Sequence, residues 1–346
     1  MNKFNGMDIN KNKRGILLTN LGSPSELTQK AVRVYLKEFL MDKRVLDLPY
    51  PLRWMIVHLF VLPFRPRKTI DAYSAIWWPK GSPLLIMSEE IQKKLRAEVE
   101  FPVALGMRYG KPSIASAIKQ LLRQDVREIF LLPLFPHYAM STFESAVEKV
   151  REELQPYGDH IRLVVKSPYY ADPQYVEILV QTTESVIKRP YEHLLFSYHG
   201  IPERHVKKTD PTGSHCLFTP DCCVTPSPAH KFCYRHQVLK TTEAFVKLAG
   251  IPREKYSVSF QSRFGRDKWL QPSTESELVR LAQAGIKKLV VICPSFVTDC
   301  LETLEEIGQR GKELFLQAGG EEFQLIPCLN DNAGWLQVLK KWCEQQ

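Results

Sequence analysis

GILLTNLGSP at Gly15–Pro24 and HLLFSYHGIP at His193–Pro202 follow one pattern, a short apolar run ending in Gly-x-Pro. Two further blocks repeat in the same order. Val103–Gly110 (VALGMRYG) matches Val258–Gly265 (VSFQSRFG): each has Val, Arg five places on, then an aromatic and Gly. Arg127–Pro133 (REIFLLP) matches Lys288–Pro294 (KLVVICP), each an apolar run closed by proline. Uninterrupted apolar runs of this length suit parallel strands covered on both faces. Helix-period stretches, Ser113–Arg123 and Ser276–Gly285, precede the proline-ended strands. The alternation predicts an α/β protein of two similar doubly wound parallel-sheet lobes, Rossmann-like, with a cleft between them. Such sheets bind ligands at the carboxyl ends of their strands. All three repeated blocks end there.

The chain has 346 residues, enough for two domains. The division falls at about residue 170, giving lobes 1–170 and 171–346. The composition, 44% apolar and 25% charged, is that of a globular protein and excludes a disordered chain or a small disulfide scaffold. Lys+Arg minus Asp+Glu is 47 − 38 = +9, which suits anionic partners. The polar start MNKFNGMDINKNKRG has no signal-peptide core. The longest apolar patch, Trp54–Phe64 (WMIVHLFVLPF), is 11 residues, where a spanning helix needs roughly 20. A cytoplasmic protein is expected, at most peripheral on a membrane surface, with cysteines that are not disulfides. No G-x-G-x-x-G or G-x-x-x-x-G-K-[ST] follows a strand, so no nucleotide is expected. No aromatic-basic repeat or recognised module points to nucleic acid.

His199 ends the run Leu194–Phe196 and stands at the carboxyl end of a predicted central strand. An imidazole there serves as a base or a ligand for a divalent metal, or is satisfied by backbone in a tight turn. After the strand at 289–293 comes an acidic row, Asp299, Glu302 and Glu306, spaced 3 and 4 apart and so expected on one helix face, with Thr298 or Asp299 as N-cap. Such a row is either complementation of the helix dipole or a functional wall. Beside a neutral imidazole it suits Fe(II) or Zn(II), or the movement of protons.

Together these residues resemble the ferrochelatases, which insert Fe(II) into a porphyrin and share the class II chelatase fold. The likeness runs from about Gly15 to Leu304: Leu18–Pro24, Phe39–Val45, Tyr73 with Ile76-Trp77 and Gly81–Leu84, Leu132–Tyr138, Ser197–Pro202, Gln261–Gly265 with Trp269, and Ser295–Leu304. The resemblance implies that His199 binds metal and is essential, and that Glu302 is its counterpart. It implies catalytic or pocket roles for Asp299, Glu306, Arg108, Tyr73, Phe135 and Arg44, with the arginines expected to meet the anionic propionates. Many members have histidine where this chain has Cys300, and some have tyrosine at Phe135. The expected product is protohaem from protoporphyrin IX. Alternatives are a coproporphyrin chelatase and a non-catalytic haem or iron carrier with an iron–sulfur sensor loop. The family includes monomers and homodimers.

Two segments stand apart. Trp54–Phe64, inside an apolar lip at about 45–85, is followed by Arg65, Arg67 and Lys68. It suits a hydrophobic edge against an anionic membrane surface, or a buried core helix. The first cysteine is Cys216; Cys222, Cys223 and Cys233 follow within a proline-bearing loop at about 211–235. A cysteine-dense loop in a reducing compartment argues for metal: a [2Fe–2S] cluster, or zinc with His215 or His230, against free thiols. Some ferrochelatases hold a [2Fe–2S] cluster on an internal cysteine segment. Here the tail offers only Cys343, so the internal reading is favoured.

Overall fold

The computed structural model describes residues 13–345 except Phe264 and Arg266; the N-terminal polar segment up to residue 12 and the Phe264 of the repeated block lie outside the described residues. The first lobe begins with β1 (Arg14–Asn20). An insert follows, with α1 (Gln29–Leu40), α2 (Tyr50–Met55) running into π-helical turns at Ile56–Val61, and α3 (Arg65–Ser74). Then come α4 (Pro83–Glu98), β2 (Val103–Met107), α5 (Ile114–Leu122), β3 (Glu128–Pro133), a π-helical turn at Met140–Glu144 leading into α6 (Ser145–Leu154), β4 (Arg162–Val165) and α7 (Pro173–Ile187). The second lobe repeats the order. It has β5 (His193–His199), an insert with α8 (Glu203–Lys208), α9 (Tyr234–Ala249), β6 (Tyr256–Gln261), α10 (Thr274–Gln283) and β7 (Lys288–Ile292). A π-helix at Glu302–Gly311 leads into α11 (Lys312–Gln317), followed by β8 (Glu322–Leu325) and α12 (Ala333–Glu344).

Both sheets are parallel and have one topology, β2-β1-β3-β4 and β6-β5-β7-β8. The repeated blocks form the two inner strands and one edge strand of each sheet. Their continuous apolar runs are buried on both faces, which is why they lack alternation. The fourth strands, β4 and β8, were not legible: they are four-residue edges, exposed or half-buried throughout. The duplication also goes further than the three blocks. Pro112 and Pro272 each follow a cis bond, and their carbonyls accept the N–H groups of Met107 (2.6 Å) and Phe260 (2.9 Å). The next residues, Ser113 and Ser273, cap α5 and α10 through Oγ, each accepting an N–H at 3.2 Å. The apolar stripe Ile114, Ala117, Ile118, Leu121 then seats α5 on its sheet.

Both inserts leave from the same topological point, the end of the first strand of a lobe. The lip and the cysteine loop are therefore topologically equivalent excursions. Each opens on Gly-x-Pro, and each glycine has its own reason. Gly22 has φ +102°, and a Cβ there would lie 1.8 Å from the Tyr109 carbonyl oxygen. At Gly200 a Cβ would lie 2.8 Å from the Gln261 carbonyl oxygen, which the Gly200 N–H reaches at 2.7 Å.

The division at residue 170 assigns α12 to the second lobe, but this helix packs on α4 of the first lobe as well as on α7. Its Trp342 ring lies against Tyr169 and under Lys166, and the Cys343 carbonyl accepts from Arg14 at 3.2 Å.

Three buried histidines make the fold acid-labile. Burial, the largest cause at each, lowers His137 to about 3 and His193 and His205 to about 4. Each stays neutral in the folded chain and takes a proton near pH 6.5 in the unfolded one. The unfolded state then binds more protons, so their stabilisation is complete above about pH 6.5 and is lost as pH falls toward 4, by about 1.4 kcal/mol per pKa unit per group. Urea midpoints should drop steadily between pH 7 and 4.5. A flat profile would mean these rings are already charged in the fold.

Candidate functional site

A cleft lies between the lobes at the carboxyl ends of the inner strands, where sheets of this kind place their ligand sites. Its walls are mostly apolar; Leu21, Phe39, Leu84 and Leu134 come from the first lobe, and Ile201 and Phe296 from the second. Phe135 lines it, as expected from the sequence.

His199 is the last residue of β5 and reaches this cleft. Its Nδ1 lies 2.6 Å from the Gly200 carbonyl oxygen. A carbonyl only accepts, so Nδ1 carries a proton, and in the neutral tautomer of this ring the lone pair sits on Nε2. Asn20 ends β1 at the equivalent place and also lines the cleft, but its amide is committed to Ser88 and Thr298, both at 3.0 Å. The two lobes thus present the same scaffold with different chemistry.

Glu302 lines the cleft on the π-helix, and Glu306 stands four residues on. Burial raises the Glu306 pKa, and the Glu302 charge adds to this; His199 acts in the opposite direction, so the three groups feel one another. Ser262 fixes Glu306, donating its N–H to Oε1 (2.7 Å) and its hydroxyl to Oε2 (2.6 Å). Ser262 lay within a repeated block, but nothing in the block marked its role. π-Helical segments, which often mark functional sites, follow β3 and β7 alike.

Asp299 departs from the expected row. The helix begins only after Cys300, so Asp299 is neither its N-cap nor on its face. It is buried, and its carboxylate accepts from Asn330 Nδ2 (2.7 Å), Thr303 Oγ1 (3.1 Å) and Cys328 N–H (3.3 Å). This ties the loop after β8 to the helix start. Asp299 is absent from the cleft lining.

The arginines are paired inside the protein. Arg108 donates to Asp42 (2.5 Å) and to Ser145 Oγ (2.7 Å), with Tyr109 beneath its guanidinium. Burial raises Asp42, but hydrogen bonds from Ser145 and Arg44 N–H and the Arg108 charge bring it below its ordinary value. Arg44 pairs with Glu144 at 3.0 Å and Glu148 at 3.5 Å. Tyr73 sits in a smaller pocket with Tyr35, Cys300 and Glu302, behind the carboxylate and outside the main cleft. Burial, then the Glu302 charge, raises Cys300, so a protonated thiol stands against that carboxylate.

Cys216, Cys222, Cys223 and Cys233 are all buried in the second insert. All four are free thiols, and Cys233 stands close enough to Cys216 and Cys223 to perturb their ionisation. Donors point at the sulfurs: Leu217 N–H (3.4 Å) and Arg235 Nη1 (3.7 Å) to Cys222, and His236 N–H (3.4 Å) to Cys233. His215 and His230 turn Nε2 to the Cys222 carbonyl, at 2.6 and 2.8 Å. Among the described residues, no group of three or more His, Cys, Asp or Glu is arranged to hold a single metal ion.

The lip is exposed on one face. Leu59, Phe60 (62%) and Phe64 (72%) face outward while Val57 and Val61 are buried, so the segment is a one-sided surface helix rather than a core helix. Arg67 and Lys68 beside it are exposed. Among the described residues no helix is long and apolar enough to cross a membrane.

SirB from Bacillus subtilis with Fe3+ shares the fold, with a TM-score of 0.54 at 14% identity over 96% of this chain and 95% of that one. The ferrochelatase from Pseudomonas syringae pv. tomato is 47% identical over 95% of this chain and 97% of its own length. That from Opitutus terrae is 48% identical over 94% and 95%. The ferrochelatase family model matches residues 13–346. With a bare imidazole and a carboxylate on one wall of an apolar cleft, the chain belongs to the ferrochelatase family, the enzymes that insert metal into a porphyrin.

Proposed function

We propose that the protein converts protoporphyrin IX and Fe(II) to protohaem, with His199 and Glu302 as the metal-handling pair. The observation that carries this reading is the asymmetry of the cleft: the uncommitted His199 Nε2 and Glu302 on one wall, and mainly apolar side chains elsewhere. Insertion exchanges two pyrrole N–H protons for one Fe(II) and releases two protons. His199 accepts protons beside the ring centre through Nε2, and Glu302 and Glu306 carry them away. The same imidazole and carboxylate replace water around the incoming iron. The shaped apolar walls favour a bent macrocycle, whose nitrogens are accessible. Asp299, by its bonds, is a positioning residue that seats the π-helix. Arg108 and Arg44, engaged with Asp42 and with Glu144 and Glu148, act on the cleft through that framework.

No Arg or Lys lines the cleft among the described residues. Four buried carboxylates would lack partners there, which favours protoporphyrin over coproporphyrin. The test is an anaerobic assay with Fe(II) and each porphyrin in parallel, reading haem absorbance. Faster turnover of coproporphyrin would reverse the preference, and tight binding without insertion would leave a carrier.

The thiol loop is read as the holder of a [2Fe–2S] cluster on Cys216, Cys222, Cys223 and Cys233. The donors aimed at sulfur suit thiolates, and the orientation of His215 and His230 disfavours a mixed zinc site. Such a cluster supplies one-electron chemistry, and metal insertion transfers no net electrons, so its place here is structural or regulatory. The lip is read as a peripheral membrane contact through which an apolar porphyrin enters. Flotation with anionic vesicles should carry the protein upward, and Phe60→Ser with Phe64→Ser should abolish this; a wild-type protein that stays at the bottom would refute it.

A further inference from the structure

The residue after the fourth loop cysteine reaches His199 directly. Cys233 caps α9 through Sγ. Tyr234, next in the chain, is 5% exposed, with its hydroxyl 2.8 Å from the His199 carbonyl oxygen and 2.8 Å from Ser295 Oγ. Ser295 Oγ also receives the His199 N–H at 3.2 Å. The carbonyl only accepts, so the directions are fixed: His199 N–H donates to Ser295, the Ser295 hydroxyl to Tyr234, and the Tyr234 hydroxyl to the His199 carbonyl. This closed ring holds both backbone polar groups of the residue whose imidazole faces the cleft. The same end of the loop touches the first lobe, where Phe232 packs edge-on against Tyr138 and Gln237 Oε1 accepts the Tyr138 N–H at 2.7 Å.

We propose that Tyr234 is a positioning residue for metal insertion, tying the His199 backbone to the cysteine loop so that the state of the loop sets the placement of the imidazole. This rests on the reading of His199 as a metal-handling residue. The Tyr234 ring also fills space against His137, a task that does not need the hydroxyl. Tyr234→Phe therefore separates the two roles.

Three measurements on the full chain test it. Tyr234→Phe should lower kcat about fivefold, the scale of one lost hydrogen bond, with the protoporphyrin Kd unchanged. Through the same tie, protoporphyrin seated against His199 should slow hydrogen exchange across residues 210–235 in the wild type and have no such effect in the variant. Cys222→Ser should lower kcat in the wild-type background and not further in Tyr234→Phe. Ser295→Ala opens the ring without touching α9 and should reproduce the kcat loss; circular dichroism on each variant checks that it is folded. An unchanged kcat in Tyr234→Phe, losses that multiply, or exchange that still responds to porphyrin in the variant would overturn the proposal. Turnover that survives His199→Ala would instead remove the reading beneath it.

Discussion

His199→Ala is expected to lower kcat for Fe(II) insertion by about 10²–10⁴-fold, the usual worth of a placed general base, with porphyrin affinity almost unchanged. The substitution removes the Nε2 lone pair but little packing, since the ring lies at a strand end facing the cleft and its Nδ1 bond is to the adjacent residue. Glu302→Gln should act in the same direction. It keeps the shape and removes the charge, and with it one of the causes that raise Glu306; the Glu306 carboxyl should then ionise at lower pH, visible in its infrared carboxylate band. If the two residues act as a unit, the double variant will cost little more than the worse single one. Insertion rates within threefold of wild type in both variants would contradict the site.

Cys222→Ser should abolish the visible absorption and the bound iron and sulfide of the protein purified anaerobically without porphyrin. Its sulfur receives both the Leu217 N–H and Arg235, and a hydroxyl there keeps an acceptor for those donors but removes the thiolate that would ligate iron. The loop would also lose its internal cross-link. For a tie between residues 216 and 233, comparable in span to a disulfide closing a loop of that length, this corresponds to about 3 kcal/mol of stability. Cys293→Ser, in the core beside Gln261, should retain the absorption. Wild-type protein that carries zinc, or neither iron nor sulfide, would refute the cluster.

The duplicated inner strands could be read from sequence because strands buried on both faces leave unbroken apolar runs, and β1, β3, β5 and β7 do. β4 and β8 were missed because a short edge strand needs little apolar surface. The position of His199 and Glu302 on the cleft was legible because His199 ends such a run and Glu302 lies in the segment that leads out of one. Asp299 was placed wrongly for a definite reason. Spacings of 3 and 4 imply one face only inside a helix, and this helix starts after Cys300 and is π-helical. Arg108 and Arg44 look like free anion ligands until Asp42, Glu144 and Glu148 come beside them, contacts that only the fold creates. Tyr234 carried no signal beyond its place after Cys233, because its partners lie 35 and 61 residues away.

The most direct test of the central claim is anomalous scattering from crystals soaked anaerobically in Fe(II) or Co(II). A metal peak on His199 Nε2 and the Glu302 carboxylate, absent in His199→Ala crystals, is the predicted result. A cleft metal that avoids both residues, or that persists without the imidazole, would contradict it.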